Sequence, residues 1–208
     1  MMMAGLRERK KEQTRRRIAE TALRLFGERG YDAVTVNEVA EAAGVAKVTL
    51  FSYFPSKESL VLDGVKDDAA AVVDGRPEGR TPLAALRAHY SALAHQGDAA
   101  GVDVEGMLLR VQVITGSPAL LEGVHQARME QRHELAAALA RALPGRGLAP
   151  QLMAAQVTTA VTTLQEVFFL RLSEGMPLEQ AARRLGEDVE LAFDLLEHGF
   201  AAIEGERA

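Results

Sequence analysis

Lys47, Val48, Thr49, Phe51, Ser52 and Tyr53 crowd into one short stretch, and Lys57 follows closely behind them. At about 100° per residue, Leu50 and Phe54 share one side of a helix, and Val48, Thr49 and Ser52 form the other. Phe51 and Tyr53 edge that second side. A small polar centre with aromatic margins suits a helix lying in the major groove of DNA, where small side chains approach base edges and larger ones reach the backbone walls. Val48 is suited to a thymine methyl, and Lys47 to a guanine edge or a phosphate. Lys57 stands where a fourth helix is expected to begin, and free backbone N–H groups with the helix dipole favour a phosphate there. This is recognition chemistry. No nucleophile–base grouping, phosphate loop or metal motif accompanies it, so the sequence reads as that of a binding protein and not an enzyme.

The elements that must carry these residues are helical. Strand-like alternation never holds for long, whereas apolar residues recur at helical spacing between Gly and Pro punctuation. A first helix covers 13–29, with Ile18, Ala22, Leu25 and Phe26 on one face, Arg15, Arg16 and Arg17 at its start, and Gly30 as its stop. Thr35 and Glu38 have capping-box spacing and open a short second helix through Val36, Val39, Ala40 and Ala43. Gly44 breaks it. A third helix runs from about Ala46 to Phe54; Pro55 ends it, and Ser56 is the N-cap of a fourth reaching about Val73. Further helices are expected near 82–96, 103–115, 118–142, 150–173 and 178–203, separated by Gly97–Gly101, Gly116–Pro118, Pro144–Gly147 and Gly175–Pro177. The fold class is all-α with nine helices. An N-terminal head of residues 1–60, ordered from about residue 12, joins a helical body of residues 61–208. Two short helices meeting at a glycine, the second about two turns long, form the helix-turn-helix pattern.

From Thr14 to Leu60 the chain resembles the DNA-binding domain of TetR-family transcriptional repressors. The matching pieces are Leu25-Phe26, Gly30-Tyr31, Thr35-Val36, Val39-Ala40, Ala43-Gly44-Val45, Thr49-Leu50-Phe51 and Tyr53-Phe54 through Lys57-Glu58. The resemblance implies a nine-helix fold, a homodimer built from the last two helices, and repression through a palindromic operator. Three positions depart from the family pattern. Ala46 stands where Ser or Thr is usual, so the recognition helix lacks a side-chain cap, at about 1 kcal/mol. Val48 replaces a common Gly and makes the groove face more apolar. Phe51 replaces a common Tyr and has no hydroxyl for a phosphate. Arg15 and Thr35 complete the expected DNA-contacting set, although charge runs are usually solvated faces and Thr35 has a capping role already.

Composition agrees with a cytoplasmic regulator. The chain has 208 residues, no cysteine and a net charge of −5. Residues 1–60 hold 11 Lys/Arg against 8 Asp/Glu, and the remainder 13 against 21: a mildly basic head on an acidic body. No disulfide or thiolate metal site is available, and no run approaches the ~20 apolar residues of a membrane span or the form of a secretory signal. By resemblance the body encloses a pocket for a small-molecule effector. His89, Met107, Arg110, Gln112, His125, Met129, Gln165 and Phe169 are candidate lining, combining apolar walls with sparse polar groups. The histidines lack the spacing that places two on one helical face, so no metal and no cofactor is assigned. The apolar stripes Val157, Val161, Leu164, Phe168, Leu172 and Leu185, Val189, Phe193, Leu196 are read as a shared four-helix interface between protomers. The alternative is a DNA-binding dimer without a ligand.

Overall fold

The structure, a computed structural model, describes residues 2–63, 68–96 and 103–199. The regular elements among these residues are ten helices: α1 (Met2–Arg29), α2 (Val36–Ala42), α3 (Lys47–Tyr53), α4 (Ser59–Leu62), α5 (Ala69–Asp74), α6 (Pro82–Gln96), α7 (Val104–Thr115), α8 (Pro118–Ala142), α9 (Ala149–Ser173) and α10 (Leu178–His198). The all-α reading holds, and strongly punctuated helices end where Gly and Pro place them. The Gly97–Gly101 separator and the end of the last expected helix beyond residue 199 lie outside the described residues.

Two boundaries differ for local reasons. α1 begins at Met2 and not near residue 13; the preceding run is rich in Met, Ala, Leu, Arg, Lys and Glu, all good helix formers. The single helix expected from Ser56 to Val73 is interrupted. α4 closes at Leu62, Asp63 is extended (φ −62°, ψ 129°), and α5 starts at Ala69. Asp63 and Gly64 are consecutive weak helix formers, and Asp63 is held by two arginines described below.

The chain forms two compact units: Met1–Val65 with Glu105–Gln126, and Lys66–Val104 with Ala127–Ala208. A head ending at residue 60 therefore omits a segment that the sequence reading assigned to the body. Val113 and Leu120 are buried in the same core as Ile18, Ala22, Phe26, Val39, Leu50, Phe54 and Leu60. Burial of such side chains contributes about 1.5–3 kcal/mol each, irrespective of their separation in sequence. Gly27 lets the segment approach: a Cβ there would lie 2.5 Å from Leu109 Cδ1.

In the second unit Val73, Leu86, Tyr90, Leu135, Leu139, Val157, Val161, Val189 and Phe193 form the core. The apolar stripes expected between protomers are turned inward. Val157, Val161, Val189 and Phe193 belong to this core, with Leu164, Leu185 and Leu196 packed against it, and Phe168 and Leu172 are buried. Leu86 and Tyr90 of α6 supply the apolar partner that pairing α9 with α10 alone overlooks. Arg87 of α6 also bonds Glu190 (2.8 Å) and pairs with Asp194 (2.8 Å) on α10. What α9 and α10 leave outward is Leu152, Leu170 and Leu191. No described helix is long and apolar enough to cross a membrane.

Candidate nucleic-acid interface

α2 is fixed at its start by the capping box that Thr35 and Glu38 imply. The Glu38 N–H donates to Thr35 Oγ1 (3.3 Å), and the Thr35 N–H and hydroxyl both donate to Glu38 Oε2 (2.8 Å each). Arg29 closes the set with a 2.7 Å ion pair to Glu38. Bonds from Thr35 and then Arg29 hold the Glu38 carboxyl down at about 2, from an ordinary 4.5. A carboxyl whose pKa is lowered by folding stabilises above its unfolded value and loses that contribution as pH falls towards its folded one. Glu38→Gln keeps the capping geometry and removes the charge. Its melting temperature is expected to lie below that of the parent above pH 4.5, with the gap closing as pH falls to about 2. A gap unchanged over that range contradicts the assignment. At its other end α2 stops in a Schellman turn, with Val45 N–H on Ala40 O (3.0 Å) and Gly44 N–H on Glu41 O (3.0 Å). Gly44 has φ +64° there, a conformation that other residues adopt at a cost.

That turn delivers α3 with one side anchored and the other bare. Leu50 is wholly buried, while Val48 is 78% and Phe51 40% exposed. Lys47 and Ser52 are exposed and Thr49 is half-buried. Ala46 provides no side-chain cap, as its identity implies. Lys47 Nζ lies 6.0 Å from the Phe51 ring centre, at the outer limit of a cation–π contact. The Ser52 hydroxyl donates to Thr49 O (2.6 Å). Scattered apolar residues on a surface are ordinary. Two on the same short helix, between a lysine and hydroxyls, make a surface of mixed chemistry matched to base edges and thymine methyls.

The other expected contacts are engaged within the unit. Arg15 Nη1 donates to Tyr53 O (2.8 Å), its Nη2 bonds the Asp63 carboxylate, and its guanidinium lies 4.6 Å from the Phe54 ring centre. Arg15 is thus a positioning residue, tying α1 to the last carbonyl of α3. The Tyr53 side chain packs against the core. Lys57 Nζ donates to Tyr31 O (2.7 Å) and stands 4.1 Å from the Tyr31 ring centre. The helix beside it is a single turn. The Ser59 N–H already donates to Ser56 Oγ (3.2 Å), so fewer backbone donors are open to a phosphate than the sequence suggests. Asp63 is the residue that sequence reasoning missed. Its carboxylate takes Arg15 and its carbonyl accepts Arg110 Nη1 (2.9 Å). No local pattern announces partners so far apart in the chain.

Residues 18–63 match the family of bacterial regulatory proteins of the TetR type. The regulator TcmR of Streptomyces glaucescens is 33% identical over 142 residues, covering 65% of this chain and 63% of TcmR. The repressor KstR of Rhodococcus jostii is 40% identical over 75 residues, 35% of each chain. The head of this chain is thus similar to the DNA-binding domain of TetR-type regulators. These matches span less than two thirds of the length of either relative. The same fold is seen in SmeT, solved as a complex with triclosan, with a TM-score of 0.57, 20% identity and 91% of each chain covered.

The matched segment contains α2, α3 and α4, so the similarity rests on the helix-turn-helix itself. The candidate effector residues fall outside it and are divided between the units. Met107, Arg110, Gln112 and His125 lie in the first, and His89, Met129, Gln165 and Phe169 in the second. Gln112, His125 and Gln165 are exposed. His89 stacks edge-on against Tyr90 at 5.1 Å, and Phe169 against Phe168 at 5.6 Å. Arg110 Nη1 donates to the Asp63 carbonyl (2.9 Å).

Proposed function

We propose that this protein is a TetR-family repressor that reads a near-palindromic operator as a homodimer and is released by a small, largely apolar effector. The observation that carries the DNA half is the bare face of α3. Lys47, Val48, Phe51 and Ser52 are open to solvent on a helix whose opposite side, Leu50, is fully buried. A two-fold dimer would place two such faces in successive major grooves about 34 Å apart, or somewhat more. Leu152, Leu170 and Leu191, each about half exposed on α9 and α10, supply the apolar surface for pairing through the last two helices. The work is cytoplasmic, where a bacterial operator is found. For the effector, support comes from the family resemblance together with the acidic, helical body.

Selection of bound fragments from random-sequence DNA tests the reading. The expected outcome is an inverted repeat bound by two protomers, with affinity falling steeply as salt rises. Recovery of no preferred sequence would remove the operator reading. A thermal-shift screen of small apolar metabolites tests the effector, and a ligand that raises stability and weakens operator binding is the expected result. A body indifferent to the whole panel favours a DNA-binding dimer without a ligand.

A further inference from the structure

We propose that the stretch Arg9–Arg17 of α1 is a second DNA-binding surface, gripping the phosphate backbone beside the site that α3 reads. It rests on the reading of α3 as the groove helix and lies wholly outside the matched family segment, which begins at residue 18.

The stretch reads Arg-Lys-Lys-Glu-Gln-Thr-Arg-Arg-Arg: six cations, one carboxylate and no apolar residue. Arg9, Lys10, Lys11, Arg16 and Arg17 are exposed. A charge run of this kind is by default a solvated face, but two observations set it apart. The first is the distribution of ion pairs along α1. Arg15 pairs with Asp63, Arg16 with Glu20, Arg24 with Glu28 and Arg29 with Glu38. Among the described residues, Arg9, Lys10, Lys11 and Arg17 have no ion pair. Among the described side chains of α1, the cations without an ion pair are thus confined to this stretch.

The second observation is where the stretch is fastened. Arg15, inside it, donates to the carbonyl of Tyr53, the last residue of α3. The basic turns therefore issue from the C-terminal end of the recognition helix. At ~1.5 Å per residue, Arg9 to Arg17 spans about 12 Å of helix, or three to four base pairs at ~3.4 Å per phosphate along one strand. A helix polar on every side has no packing to hold it. A polyanion alongside would supply both the countercharge and the hold. Phosphate contacts of this kind add affinity and fix orientation without reading sequence.

The test uses the full chain and the preferred duplex recovered by selection. The variant carries Lys10→Gln, Lys11→Gln and Arg17→Gln, three exposed and unpaired positions outside the core. Because both protomers of the bound dimer lose three cations, the slope of log affinity against log salt is expected to become shallower by up to about 5, at ~0.9 for each phosphate no longer neutralised, with affinity down at least about tenfold at low salt. The ratio of preferred to scrambled duplex stays the same, because every base contact is kept. Trimming several base pairs from each flank of the duplex is expected to lower the slope of the parent more than that of the variant, which keeps only part of the basic surface. An unaltered slope in a folded variant, or a parent indifferent to trimming, overturns the proposal while leaving the reading of α3 intact. A parent that prefers no duplex at all overturns the reading of α3 and this proposal with it.

Discussion

Phe54→Ala is expected to lower the stability of the protein by about 3–5 kcal/mol, the range for emptying a fully buried phenylalanine site. Phe54 has no solvent exposure, and its N–H closes α3 by donating to Leu50 O at 2.9 Å. The Arg15 guanidinium lies 4.6 Å from the ring centre, and removing the ring from beneath it adds about 0.5–1 kcal/mol. The combined effect is a large share of the roughly 5–15 kcal/mol by which domains of this kind are stable. Arg15 keeps its bonds to the Tyr53 carbonyl and to Asp63, so the variant loses packing and not its polar tie. Urea titration followed by circular dichroism measures the change. A midpoint shift equivalent to less than about 1 kcal/mol would mean that Phe54 does not anchor the end of α3.

Val48→Glu is expected to do the reverse, sparing the fold and damaging recognition. Val48 is 78% exposed, and substitutions at such positions usually change stability by no more than about 0.5 kcal/mol. Glutamate is also the better helix former of the two. On DNA the variant gives up an apolar approach to the bases and sets a carboxylate among phosphates. One well-made base contact is worth about 1–3 kcal/mol, so affinity for the preferred duplex is expected to fall at least about tenfold at constant melting temperature. Fluorescence anisotropy with a labelled duplex, beside a thermal melt, separates the two quantities. Undiminished affinity in a folded variant would sink the assignment of this face to the groove.

What the sequence made legible is what nearby residues decide among themselves. Thr35 and Glu38 form their capping box three positions apart, Gly44 turns α2 into α3, and Ala46 leaves α3 without a side-chain cap. The two sides of α3 follow from helical spacing alone. Long-range partnerships were not legible. Nothing around Arg15 points to Asp63, 48 residues away, so its positioning role does not show in the local pattern. The bond from Arg110 to Asp63 is hidden for the same reason, the two being 47 residues apart. The inward stripes of α9 and α10 show the limit of periodicity, which says that a face is buried but not against what. Leu86 and Tyr90 cover those faces from α6. The segment 105–126 joins the head because Val113 and Leu120 find apolar neighbours there.

The missing cap on α3 has a wider meaning. A seven-residue helix without one cannot hold its shape alone; its rigidity is borrowed from Leu50 and Phe54 beneath it. Address and chassis are therefore separate inventories within the same two turns. The outward letters at positions 47, 48, 51 and 52 are free to be rewritten for a new target while the inward ones are left as they stand. By the same logic a synthetic peptide copying α3 would carry the text without the page, and a transplanted set of outward residues would inherit the page for nothing.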